Sequence, residues 1–176
     1  MRRALSGASV VVLAVVVLGW PAAGLWARPE RGRKVAVATP GSAFQADVVT
    51  RANENTDYRR VIYTGQKTQL VVMSLPAGGE VGEEMHHRVE QVFFCVAGRG
   101  QAVVNGRVTP VSIGTILVMP PGTRHNVKNA GKVPLKLYTI YSPPNHLDGR
   151  VQATRADAEA DRADAEFGRR VEQGKP

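Results

Sequence analysis

The 176-residue chain reads as an all-β protein, a barrel or sandwich of short antiparallel strands. Three observations lead there. Between residues 58 and 141, short runs rich in Val, Ile, Leu, Phe and Tyr follow one another, a content that favours strand over helix. Turn formers break these runs at Gly65, Pro76 to Gly79, Gly98, Gly114 and Ala130-Gly131. Asn105-Gly106, set between two valine-containing runs, carries the signature of a type I′ hairpin turn.

In chain order, residues 1–27 read as a signal peptide or membrane anchor. Arg2-Arg3 opens the segment, an apolar run from Ala8 to Trp20 follows, and Ala22-Ala23-Gly24 supplies small residues. The run is short for a bilayer span. The paired arginines also fit the twin-arginine route, and an uncleaved anchor reaching Trp26 is the alternative to cleavage. The expected location is periplasmic or extracellular, or membrane-anchored facing outside the cytoplasm.

Residues 28–57, rich in Gly, Pro, Ala and polar side chains, read as a linker with one short strand over 44–50. Strands are then expected over 58–64, 68–75, 91–97, 100–105, 115–119, 126–129 and 135–141. Pro143 and Pro144 end the sheet, and His146 in this proline-rich loop reads as a surface residue. The tail, 146–176, is dominated by Ala, Asp, Glu and Arg, with Thr154 as a helix N-cap. It has almost no apolar face, which predicts a solvated helix or a disordered extension.

The formal charge of +8 overstates the basicity of the domain. Residues 1–34 hold six Lys/Arg and one acid, so the remainder carries 17 basic against 14 acidic groups, a net +3. No basic, aromatic-interleaved stripe points to nucleic acid. Cys95 is the single cysteine, so no internal disulfide forms, and its apolar strand makes it a small buried hydrophobe. No nucleophile triad, phosphate loop or nucleotide fingerprint is present.

Two runs carry the chemistry. Residues 114–129, GTILVMPPGTRHNVKN, are spaced as G-x5-P-x-G-x2-H-x3-N. The Pro120-Pro121-Gly122 turn sets His125 at a strand start, its ring directed into the sheet interior. Residues 82–98, GEEMHHRVEQVFFCVAG, bring two histidines, several carboxylates and an amide ahead of an apolar strand. Glu84 and His86 stand two apart, so on a strand they face the same side, as do Gln91, Phe93 and Cys95.

Together these runs resemble the two motifs of the cupin superfamily, small jelly-roll (double-stranded β-helix) barrels with a metal in the mouth. The resemblance covers residues 58–145 and implies a single cupin barrel between the N-terminal segment and the polar tail. The second motif matches at every fixed position. The first, G-x5-H-x-H-x3,4-E-x6-G, places Gln91 where the family has Glu, His86 at its second His and Glu84 at its first. The implied metal ligands are therefore Glu84, His86, Gln91 and His125, departing from three His and one Glu at two positions. One carboxylate and three neutral donors remain, a set that suits Mn, Fe, Ni, Co or Zn. An alternative register pairs His87 with Met85, and Glu90 is a further carboxylate that either binds or holds a ligand in place.

The GEE-x-H-x3-[DE]-Q form of the first motif and the PLKLYTIYSPPNH close at 134–146 are similar to a single-domain, mannose-6-phosphate-isomerase-like subgroup. No large second domain for a sugar phosphate accompanies it, so isomerase activity is not carried across. The expected function is an exported cupin whose divalent metal acts on a small polar molecule, by dioxygenase, decarboxylase or isomerase chemistry, with Glu90 or Glu83 as general base. The alternatives are a non-catalytic binding module, and a homodimeric scaffold paired through the 44–50 strand with a vestigial site.

Overall fold

The computed structural model describes residues 43–175. The expected signal or anchor over 1–27 and the first part of the linker lie outside the described residues. Among the described residues, no helix is long and apolar enough to cross a membrane.

The strands are β1 (Arg59–Thr64), β2 (Gln69–Leu75), β3 (Glu90–Ala97), β4 (Arg99–Val104), β5 (Arg107–Ser112), β6 (Ile116–Met119), β7 (His125–Asn129), β8 (Leu135–Ser142) and β9 (Val151–Gln152). The seven expected strands appear with their ends displaced by one residue at most. The hairpin forms as expected, with Asn105 at φ 49° and Gly106 at φ 81°, the positive values a type I′ turn requires. Its second arm, β5, carries Pro110 and sits at a sheet edge, where a missing N–H leaves no partner unbonded.

Two antiparallel sheets face each other in a cupin-like jelly roll. The larger is ordered β6-β3-β8-β2-β1-β9 and the smaller β5-β4-β7. The extended segment 80–84 runs along the free side of β7 through bridges Glu80–Lys128 and Glu84–His125. Alternation puts Val71, Met73 and Leu75 of β2, Phe93 and Cys95 of β3, and Leu135, Leu137 and Tyr141 of β8 on the inner face. Ala102, Val111 and Val127 of the smaller sheet meet them. Burying each of the larger side chains contributes about 1.5–3 kcal/mol. The sheets meet at a corner where Gly98 takes φ 86°, and a Cβ there would lie 2.7 Å from the carbonyl oxygen of Pro134.

Three expectations are corrected. The 44–50 strand does not form; the chain instead builds helix α1 (Val48–Glu54). Asp47 caps it, accepting from the Thr50 amide at 3.0 Å and the Thr50 hydroxyl at 2.6 Å. Val48 and Ala52, one turn apart, then cover Ile62, Leu70, Val72, Phe94, Val96 and Tyr138 on the outside of the larger sheet. Capping and that covering contact override the β-branched Val48-Val49-Thr50.

The tail is neither disordered nor merely solvated. Thr154 caps α2 (Arg155–Ala160) with a reciprocal Asp157 contact, and Asp161 caps α3 (Arg162–Glu172). Asp164 and Val171 on α3 are buried, and Phe167 between them packs on the core, a stripe at helical spacing. His146 is buried as well, because Asp164 accepts a hydrogen bond from its Nδ1 at 2.7 Å.

Candidate metal centre

The second motif works through its turn. Gly122, at φ 83°, donates its N–H to the carbonyl of His86 at 2.6 Å, tying the two motifs together at the barrel mouth. Three residues on, the His125 and Glu84 backbones exchange hydrogen bonds, at 2.9 and 2.8 Å. This makes the two residues direct cross-strand neighbours.

His125 is buried, and its Nδ1 lies 2.9 Å from the carbonyl of Thr123. A carbonyl only accepts, so Nδ1 carries the proton and Nε2 of the neutral ring presents a lone pair. Phe93 meets the ring edge-on at 5.8 Å. Facing Nε2 at 3.0 Å is Oε1 of Gln91, a buried residue on β3 whose Nε2 donates to Thr139 Oγ1 at 3.4 Å. Glu84 Oε2 stands 3.7 Å from His125 Nε2 and 3.7 Å from His86 Nε2. Both Glu84 Oε2 and His86 Nε2 are buried without a hydrogen-bond partner.

Four lone-pair donors thus converge: His125 Nε2, His86 Nε2, Glu84 Oε2 and Gln91 Oε1. Acceptor facing acceptor in a buried site is costly, and a cation among them removes the cost. Ligand atoms of Glu84, His86 and His125 all lie within 4.8 Å of one another. On that chemistry the residues fit a divalent ion.

Burial raises the pKa of Glu84, but His125, His86 and Arg59 outweigh it and hold its carboxyl well below the ordinary carboxylate range. Burial disfavours a charge on His86, yet Glu84 and Glu172 overcome it and shift its pKa upward. Burial drives the Tyr141 phenol far upward, so its hydroxyl, buried and without a partner, stays protonated.

Among the expected site residues, Glu84, His86, Gln91 and His125 come together. The others stay outside. Met85 and His87 are exposed, so the alternative register contributes no ligand to the cluster. Neither candidate general base faces it. Glu83 is exposed and pairs with Arg124, and Glu90, exposed, precedes Gln91 on β3, where alternation turns it to the opposite face.

Two groups stand behind the candidate ligands. Arg59 of β1 brings Nη2 to 3.7 Å from Glu84 Oε1 and Nη1 to 3.8 Å from Asp164 Oδ2. Glu172 of α3 places Oε1 3.4 Å from His86 Nδ1, while its Oε2 accepts from the His87 amide at 2.8 Å. No local spacing signal marks these residues, since they reach the site from β1 and α3. A separate cavity of about 510 Å³, lined in part by Tyr58, Ser74, Pro76, Lys136 and Arg155, holds none of the expected ligands.

The cupin domain family matches residues 71–141, which take in the first-motif ligands, the turn and His125. The crystal structure of BH2720 from Bacillus halodurans superposes with a TM-score of 0.67 at 33% identity, over 71% of this chain and 99% of that one. The chain belongs to the cupin superfamily. This cupin is also 37% identical over 123 residues to uncharacterized protein YrkC of Bacillus subtilis (strain 168), a match spanning 66% of each chain. Its likeness to the mannose-1-phosphate guanylyltransferase of Klebsiella pneumoniae, 30% identity over 104 residues, covers only 22% of that enzyme.

Proposed function

We propose that this cupin holds a divalent transition metal through Glu84, His86 and His125, with Gln91 as a weaker oxygen donor, and uses that centre on a small polar molecule. The observation that carries the reading is the convergence of four lone-pair atoms, two of them buried and unpartnered. Two histidines and one carboxylate suit Mn, Fe, Co, Ni or Zn and leave positions for an outside ligand. When bound, such an ion supplies Lewis acidity toward a substrate oxygen, or a site for dioxygen, the chemistry of dioxygenases, decarboxylases and isomerases.

The chain's own residues do the rest. His125 and Gln91 are held from behind by Thr123 and Thr139, so their donor atoms are set before anything binds. Tyr141 keeps a proton on its hydroxyl inside the barrel. Residues 1–27 support export to the periplasm or beyond.

One observation favours a second reading, a binding module without turnover: Glu83 and Glu90 point away from the cluster. Elemental analysis of the purified protein beside a His86→Ala, His125→Ala double variant tests the site. Near-stoichiometric transition metal in the parent and none in the variant is the expected result. Absence from the parent, even after reloading, would sink the metal reading. Turnover screens on the loaded protein then separate the two functions.

A further inference from the structure

The C-terminal helix touches the ligand segment from outside the barrel, and it does so with carboxylates. Glu172, on the last turn of α3, spans the segment that carries His86. Its Oε2 takes the His87 backbone N–H at 2.8 Å. Its Oε1, buried and without a hydrogen-bond partner, stands 3.4 Å from His86 Nδ1, within ion-pair distance. Just beyond, Gly174 lies under the Arg88 guanidinium so closely that a Cβ would come within 3.2 Å of it. Further up the same helix, Asp164 holds Arg59, which faces the second oxygen of Glu84. Both ligands of the 84–86 segment are therefore backed by α3, one directly and one through Arg59.

We propose that α3 belongs to the metal centre and that Glu172 is the positioning residue of His86. A carboxylate only accepts, so it keeps the proton on Nδ1 and leaves the Nε2 lone pair facing Glu84 Oε2 and His125 Nε2. Backing a ligating imidazole in this way fixes its tautomer and raises its basicity. The inference rests on the metal reading above and deepens it, by assigning part of the ion's affinity to a helix outside the barrel strands.

The test is Co(II) affinity by chelator competition on the full chain, for the parent and for Glu172→Ala, Glu172→Gln and Glu166→Gln. Glu172→Ala is expected to bind about 10- to 100-fold more weakly. Glu172→Gln is the discriminating variant. Its amide oxygen can keep the His87 backbone bond, but the NH2 group then faces His86 Nδ1 and favours the wrong tautomer. It is expected to lose affinity at least as severely, while Glu166→Gln, on the exposed side of α3, stays within about twofold. Parental affinity in Glu172→Gln would mean that the glutamate only braces the backbone, and would overturn the proposal. Should Glu172→Ala fail to fold, Glu172→Gln decides alone. A parent that binds no Co(II) would instead sink the metal site itself, an outcome distinct from a parent that binds and a variant that binds equally.

Discussion

Glu84 and His125 exchange both of their backbone hydrogen bonds, at 2.8 and 2.9 Å, and turn their side chains to the same point, 3.7 Å apart at Oε2 and Nε2. One ligand thereby sets the position of the other through main-chain pairing rather than through side-chain packing. The Gly122 amide on the carbonyl of His86 adds the third ligand to the same backbone frame.

Replacing Glu84 by Gln removes the one carboxylate of the set. Metal affinity is expected to fall by at least about 100-fold, and the metal-free protein to lose about 1–3 kcal/mol, because Arg59 is left with Asp164 alone. Chelator competition reads the first quantity and urea denaturation the second.

Gln91→Glu restores the residue usual in cupins at this position. With metal present, the carboxylate is expected to tighten binding by about tenfold, or about 1.4 kcal/mol. Without metal it adds a second acid beside Glu84 in a buried site, and the thermal midpoint is expected to drop. Opposite shifts of the loaded and metal-free midpoints, measured by calorimetry, are the signature. A parallel shift would contradict the placement of Gln91 among the ligands.

Asp164 bears on acid stability. Burial raises its pKa, but His146, the Leu147 amide and Arg59 outweigh this and leave it below the ordinary value for an aspartate. A carboxyl whose folded pKa lies below its unfolded value, about 3.9, contributes stability above that pH and loses it as pH falls through the folded value. Asp164→Asn is therefore expected to cost stability at pH 7 and to flatten the acid limb of the stability curve. Denaturation midpoints from pH 7 down to about 2.5 check both. An unchanged acid limb would remove Asp164 from the account.

Gly98→Ala tests the barrel corner. The substituted residue faces both the positive φ of 86° and the Pro134 carbonyl at 2.7 Å. A loss of about 1–3 kcal/mol is expected. Chemical denaturation measures it, with Gly106→Ala as a comparison in which only the φ is unfavourable.

The strands were legible because inner and outer residues alternate along them and Gly or Asn-Gly closes them, so local sequence and tertiary environment agree. Around 44–54 they disagree: Val48-Val49-Thr50 prefers a strand, yet the Asp47 cap and the buried Ala52 make a helix. The tail departs from its expected solvated form for a different reason. Its buried stripe contains Asp164, which counts as polar until His146 and Arg59 are seen to pair with it. Ligand spacing within each motif was visible in the sequence. The supports of Glu84 and His86 were not, since Glu172 lies 85 residues from the His87 amide that it accepts from.

Gln91 stands on the larger sheet, whereas His125 on β7 and its bridged neighbour Glu84 belong to the smaller one. An ion shared by these residues is a rivet between the two walls of the barrel. Ligand linkage then makes folding a sensor of metal supply: a hundredfold excess over Kd adds about 2.7 kcal/mol to the folded state. Were the site to hold the ion proposed for it, the metal-free chain would be the less stable form and the readier target for proteolysis.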